Sequence, residues 1–250
     1  FVKVCEPFLR KTSTGEAPWI VVAGADPRYR ALTVGRHLLA AMRERLEEKP
    51  VKRLPDKSPP LLPAADNLNV LRALKLDQPL AKADYEKQLE KWQGRLNVLS
   101  RHPRFKNISV VMVFEGNDAA GKGGAIRRLT GALDARSYHS VPVAAPTEEE
   151  RAQPYLWRFW RHVPRHGRIT IFDRSWYGRV LVERVEGFCS EGDWMRAYTE
   201  INDFEQQLTR QNIVVVKYWL AISKDEQLRR FKAREKVAFK HFKITADDWR

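Results

Sequence analysis

In residues 108–130, ISVVMVFEGNDAAGKGGAIRRLT, Gly116, Gly121 and Lys122 fit G-x-x-x-x-G-K, the spacing of a phosphate-cradling P-loop. Glycines there let successive backbone N–H groups turn inward around an anion. A helix starting near Gly123 adds its positive N-terminal end, and Lys122 supplies a point charge. The pattern departs from the usual form in two places. The Ser or Thr that should follow the lysine is Gly123, so the hydroxyl that normally holds Mg²⁺ is missing. An acid, Asp118, stands inside the loop, and a carboxylate among phosphates is repulsive unless a metal or a shared proton lies between them.

A second acid, Asp173, ends the apolar run RITIFD, where P-loop proteins place a carboxylate that holds Mg²⁺ directly or through water. Many strands end on an aspartate cap, but DRSWYGR also brings Arg174 and Arg179 beside this one. The basic stretch 224–243 carries eight Lys and Arg against three acids, and its Arg230 and Arg234 are four apart, on one helix face. It reads either as a solvated basic helix or as a lid whose arginines close over a transferring phosphoryl group. The six histidines (His37, His102, His139, His162, His166 and His241) show no zinc-type spacing. Trp157, Trp160, Trp176 and Trp194 could stack a base, though packing explains each of them as well.

The elements around these residues alternate. PWIVVAG at 18–24 reads as a short buried strand, followed by a helix over 29–48. Five prolines between Pro50 and Pro63 exclude regular structure there and read as an extended linker. Tyr85, Leu89, Trp92, Leu96 and Leu99 step by four, three, four and three, the stripe of a helix over 82–102. Thr147 to Glu150 reads as a capping box opening a helix that runs through Trp157 and Trp160. Met195, Tyr198, Ile201, Phe204 and Leu208 mark another helix. IVVVKYWLAI at 213–222 is a strand, and Ser223 to Glu226 caps the basic helix. Apolar strands alternating with helices predict an α/β fold with a mainly parallel sheet.

At 250 residues the chain can bury a full core. Its 45 Lys and Arg exceed its 31 Asp and Glu by 14, which favours a polyanionic partner without choosing among polyanions. No apolar run approaches the roughly 18 residues of a membrane span. The opening FVKVCEPFLRKTSTGE has no signal-peptide layout, and Cys5 and Cys189 lack disulfide or metal spacing, so a cytoplasmic protein with reduced thiols is expected.

With these residues in hand, the sequence resembles the polyphosphate kinase 2 family. EGNDAAGKGG at 115–124 is similar to that family's P-loop, internal acid included. DRSWYGR at 173–179, VERVEGF at 182–188, ISKDEQLRRFKAR at 222–234 and FKITADDW at 242–249 follow in that family's order. The resemblance covers residues 80–250 and implies a three-layer P-loop kinase-like α/β fold with a helical lid. Residues 10–39 resemble the way a domain of this family ends. The chain is therefore expected to hold the tail of a first such domain (1–48), a linker (49–79) and most of a second domain (80–250) that lacks its last strand and helix, leaving an open sheet edge. Two fused domains is the layout of the polyphosphate:AMP phosphotransferase branch. The resemblance implies transfer of the terminal phosphoryl group of inorganic polyphosphate to AMP, giving ADP, with Mg²⁺ as cofactor. Lys122 and the backbone of Gly116, Asn117, Ala119, Ala120, Gly121, Gly123 and Gly124 would grip phosphates. Asp118 and Asp173 would hold the metal, while Arg174, Arg179, Arg230 and Arg234 would neutralise charge. Glu183 would orient an arginine. No membrane or nucleic-acid partner is expected, and homo-oligomerisation is left open. An ATP-dependent nucleoside monophosphate kinase and a non-catalytic polyanion-binding P-loop module stay open as alternatives. Asp118 and Gly123 speak against the first; Lys122 with both acids speaks against the second.

Overall fold

The computed structural model describes residues 2–15, 17–47 and 70–236. The Pro-rich stretch and FKITADDW lie outside them, so the linker over 49–69 is not described. The elements run α1 (Val2–Lys11), β1 (Trp19–Ala23), α2 (Pro27–Glu47), α3 (Val70–Ala73) and α4 (Lys82–Ser100), then β2 (Ser109–Gly116), α5 (Lys122–Thr130) and β3 (Tyr138–Pro142). They continue as α6 (Glu148–Arg151), α7 (Trp157–Trp160), β4 (Ile169–Asp173), α8 (Val182–Val185), α9 (Glu191–Arg210), β5 (Ile213–Ala221) and α10 (Lys224–Glu235). The strands form one parallel sheet in the order β1-β5-β2-β4-β3.

The sheet is covered on both faces, which is why its inner strands are continuous apolar runs. On β2, Val110, Met112 and Phe114 enter one core with Val34, Leu38 and Met42 of α2, Leu96 of α4 and Ile126 and Leu129 of α5. Val111 and Val113 enter the other with Phe8 of α1 and Ile201, Phe204 and Leu208 of α9. This is the three-layer α/β arrangement. The stripe on α4 faces α2, and Leu96 is its buried member.

The structure differs from the sequence reading in five places. Where an open sheet edge is expected from a missing last strand, β5 is flanked by β1, paired from Trp19 opposite Lys217 to Ala23 opposite Ala221. Residues 19–47 therefore share one sheet and one core with 109–221, across the division drawn from sequence. The helix expected from Thr147 through Trp160 is two short ones. The capping box forms, with Thr147 Oγ1 accepting from the Glu150 amide and the Glu150 carboxylate accepting from the Thr147 amide. The helix then stops at Arg151, because Pro154 disfavours helix in the residue before it and brings no N–H donor. On α9, Met195 lies outside the packed stripe and is 56% exposed. Finally, β3 (YHSVP) was not foreseen: it is an edge strand, half-exposed and without apolar alternation.

Candidate active site

The parallel strands bring two loop mouths together at their carboxyl ends. Asp173, the last residue of β4, stands opposite Phe114 in the register with β2, two residues before the P-loop begins. At Gly116 the chain takes φ +130° opposite Leu220 of β5, so close that an added Cβ would meet the Leu220 carbonyl oxygen at 2.1 Å. The loop turns through Ala119 at φ +59°, and the Ala120 amide donates to the Asn117 carbonyl at 3.1 Å. Gly121 (φ +100°) then caps α5 without any side-chain acceptor. The first intrahelical bond is Ala125 N–H to Gly121 O. Gly123, whose added Cβ would meet nothing nearer than Asp173 Oδ2 at 3.9 Å, leaves the start of α5 open, which is what a phosphate needs.

Lys122 curls back over the loop. Its Nζ donates to the carbonyls of Gly116 (2.9 Å) and Asn117 (3.1 Å). Burial pulls its pKa down, opposed first by Asp118. Asp118 Oδ1 accepts from Arg174 Nη2 at 2.9 Å, both side chains being half-exposed. Arg174 sits at φ +65° with its amide donating to Phe114 O, so the loop after β4 is folded back onto the end of β2. Asp173 has no side-chain hydrogen bond or ion pair among the described residues. Its Oδ2 lies 3.9 Å from where a Cβ on Gly123 would stand. The carboxylate thus reaches towards the position from which a P-loop hydroxyl would otherwise project.

No three His, Cys, Asp or Glu side chains among the described residues group to hold a metal. Two carboxylates beside a phosphate cradle nevertheless fit Mg²⁺, which takes one or two carboxylates, substrate phosphates and water, and prefers hard oxygen donors. Asp173, without a side-chain hydrogen bond among the described residues and set over Gly123, suits that use; Asp118 would share itself between metal and Arg174.

Arg179 and Glu183 form one braced unit beyond Arg174. Arg179 Nε lies 3.3 Å from Glu183 Oε2, and its guanidinium stacks 4.1 Å from the Tyr155 ring centroid. The Tyr155 hydroxyl donates to Trp176 O and accepts from the Arg179 amide. Burial raises the Glu183 pKa, with Arg179 opposing it.

The expected lid face reads differently in the structure. Ser223 does cap α10, accepting from the Glu226 amide, but the Glu226 carboxylate does not return to Ser223. It binds Arg229 and Arg230 instead. Arg230 is not a solvated arginine awaiting an anion. Its guanidinium donates to Ala119 O in the P-loop at 2.8 Å and to the carbonyls of Gly24 and Ala25 in the β1–α2 turn. Arg234, half-buried, lies 5.8 Å from the Phe231 ring. Arg230 therefore holds the loop in place. Arg230→Gln is expected to cost about 2 kcal/mol of unfolding free energy, the scale of losing charge-assisted bonds. Arg229→Gln, on the exposed side of the same helix, should cost almost nothing. Equal urea midpoints for the two variants would show that those carbonyl bonds do not hold the loop.

Two more residues belong here and were missed. Arg30 of α2 is buried, and its guanidinium packs so close to Gly121 that a Cβ there would meet Cζ at 2.3 Å. Burial, with Arg230 and Arg128 nearby, lowers its pKa to about 10. Glu115, the last buried residue of β2, accepts from Ser175 Oγ at 2.8 Å, and burial raises its pKa against the pull of Lys122. An acid closing an apolar strand run just before the P-loop was the available signal for Glu115. Nothing in the sequence marked Arg30.

The sequence model of the family described as polyphosphate kinase 2 matches residues 79–250. The chain belongs to the polyphosphate kinase 2 family. It is 60% identical over its whole length to a polyphosphate:AMP phosphotransferase of Pseudomonas aeruginosa, covering 50% of that protein. It is 44% identical over 93% of its length to one of Acinetobacter johnsonii, covering 46%. A GDP-polyphosphate phosphotransferase of Mycobacterium tuberculosis is 40% identical over 68% of the chain, which covers 57% of that protein. Among solved structures, a polyphosphate kinase 2 from Pseudomonas aeruginosa superposes with TM-score 0.71 at 59% identity, over 99% of this chain and 51% of that one. A polyphosphate kinase 2 from Arthrobacter aurescens superposes with TM-score 0.66 at 32% identity, over 75% and 69%. The chain spans about half the length of these polyphosphate:AMP phosphotransferases.

Proposed function

We propose that this chain carries the phosphoryl-transfer site of a polyphosphate:AMP phosphotransferase, moving the terminal phosphoryl group of inorganic polyphosphate to AMP. The observation that carries the reading is the P-loop with Asp118 inside it and Asp173 set over Gly123, two carboxylates where the usual hydroxyl is missing. The relatives that match along nearly the whole chain are named for AMP, which supports that acceptor over GDP.

In this reading the α5 amides hold the donor's terminal phosphates, and Lys122 exchanges its two loop carbonyls for phosphate oxygens. A phosphate oxygen of AMP forms the new bond to the terminal phosphorus. The bond from that phosphorus to the bridging oxygen breaks, and the chain leaves one phosphate shorter with the electron pair. The nucleophile is already anionic, so no general base is needed. Catalysis is alignment and charge neutralisation. Arg174, tied to Asp118, and Arg179, aimed by Glu183 and Tyr155, supply fixed positive charge for the equatorial oxygens. Arg234 offers a further cation on α10 as a closing element. Mg²⁺ held by Asp118 and Asp173 would neutralise the donor's charge.

No helix among the described residues is long and apolar enough to cross a membrane. Cys5 and Cys189 are both free, and burial pushes the Cys5 thiol up to about 12, so it stays protonated. The test is stoichiometric. With AMP and Mg²⁺, each ADP formed should shorten polyphosphate by one phosphate. Polyphosphate loss without ADP, appearing instead as free phosphate, would replace transfer by hydrolysis.

A further inference from the structure

Below the phosphate cradle, inside the core shared by α1, α9 and the sheet, sit two ionisable side chains the mechanism does not use. Lys217 of β5 is 0% exposed and Glu205 of α9 is 1% exposed. Their Nζ and Oε2 are 2.6 Å apart. The neighbours of Lys217 on its face of the strand are Val215 and Trp219, so a lysine here interrupts an otherwise apolar stripe.

Every donor and acceptor of the pair has a partner. Lys217 Nζ also donates to the Thr12 carbonyl and, at 3.1 Å, to the Tyr177 hydroxyl. Glu205 Oε1 accepts from Tyr177 Oη and, at 3.0 Å, from Trp176 Nε1. Burial, with Glu205 adjacent, holds the Tyr177 hydroxyl well above its usual range, so it stays a donor.

Stability alone does not explain such a pair. Taking two charges out of water costs more than seating two apolar side chains of similar size, and apolar replacements of buried pairs are often neutral or stabilising. A fully satisfied buried network does something apolar packing cannot: its directional bonds fix which way a ring points. The two rings fixed here are those of Trp176 and Tyr177. They directly follow Asp173, Arg174 and Ser175, and they precede Arg179. The same short segment is pinned at two other points: Ser175 to Glu115 under the P-loop, and Trp176 O with the Arg179 amide to Tyr155. The indole also packs edge-on against Phe159, Phe172 and Phe204, so a turn of this ring would be felt along the segment.

We infer that the Glu205–Lys217 pair consists of positioning residues for the phosphoryl-transfer site, setting Arg174 and Arg179 through the rings of Trp176 and Tyr177. The inference rests on the phosphotransferase reading above. Neither residue touches substrate. Their effect is on where two arginines stand, and a misplacement of about 1 Å can cost on the order of a hundredfold in rate.

The test uses the intact enzyme and three variants, with ADP formation from AMP and polyphosphate as the rate and urea unfolding as the stability. The double variant Glu205→Leu/Lys217→Met removes the pair and keeps the volume. It leaves Trp176 Nε1, the Tyr177 hydroxyl and the Thr12 carbonyl without these partners and should lose some stability for that reason; where it is folded it should lose on the order of a hundredfold in kcat with little change in the KM for polyphosphate. Tyr177→Phe removes one hydroxyl, leaves the ion pair joined, and should lower kcat about tenfold; it decides the matter if the double variant does not fold. Combining Tyr177→Phe with Arg174→Lys should show a smaller Tyr177 effect than in wild type, because part of that effect runs through Arg174. A foldable double variant with wild-type kcat, or Tyr177→Phe at wild-type kcat, would overturn the inference. So would full additivity with Arg174→Lys. A wild type that makes no ADP from polyphosphate brings down the phosphotransferase reading itself, a different result from active wild type and unaffected variants.

Discussion

Asp173→Asn is expected to lower kcat on the order of a hundredfold or more while moving unfolding free energy by less than about 0.5 kcal/mol. The asymmetry follows from geometry. The Asp173 carboxylate has no protein partner to lose among the described residues, yet it reaches to 3.9 Å from the Cβ position of Gly123, where a P-loop hydroxyl is missing. Asn keeps the shape and removes the charge that a divalent cation needs. Asp118→Asn should match it in rate and differ in origin, because it also releases Arg174 from a 2.9 Å pair. The check is kcat against Mg²⁺ concentration for both variants. Near-normal turnover at saturating Mg²⁺ in either one would remove that carboxylate from the metal-binding set.

The largest stability effect falls on a residue with no side chain. Gly116→Ala is expected to destabilise the fold by about 3 kcal/mol or more. At φ +130° an alanine is strained whatever the space. Its Cβ would stand 2.1 Å from Leu220 O and 2.8 Å from Leu220 N, so β2 and β5 must part at their last rung. Gly123→Ala is the control: the nearest atom to its added Cβ is Asp173 Oδ2 at 3.9 Å, and stability should hold. Chemical denaturation of both variants measures the difference. Equal midpoints would mean that the P-loop and β5 relax apart without cost.

Much of this site could be read before any fold was known, because its chemistry is local in sequence. The apolar runs of β2, β4 and β5 announce strands buried on both faces, and the glycine spacing after β2 needs no tertiary information. Asp173 was singled out by its place at a strand end, and the register of β2 with β4 puts it beside the P-loop. What failed was long-range. Spacing puts Arg230 and Arg234 on one face of α10 but does not say what that face meets; Arg230 meets backbone carbonyls. The covered edge of β5 was invisible because β1 lies almost two hundred residues earlier, and five apolar residues do not name their partner. Glu115, Arg30, Glu205 and Lys217 were passed over because a charged residue in an amphipathic or apolar run is ordinarily solvated or incidental. β3 was missed because half-exposed edge strands carry no alternation to detect.

The central claim is the identity of the donor. Initial rates of ADP formation from AMP, at fixed Mg²⁺ and with polyphosphate or ATP as the only donor, test it most directly. A P-loop with Asp118 inside it and no hydroxyl after Lys122 should give a higher kcat/KM with polyphosphate, with Asp173→Asn abolishing most of that rate. Turnover with ATP equal to or better than with polyphosphate would contradict it and make the chain an ATP-dependent nucleoside monophosphate kinase.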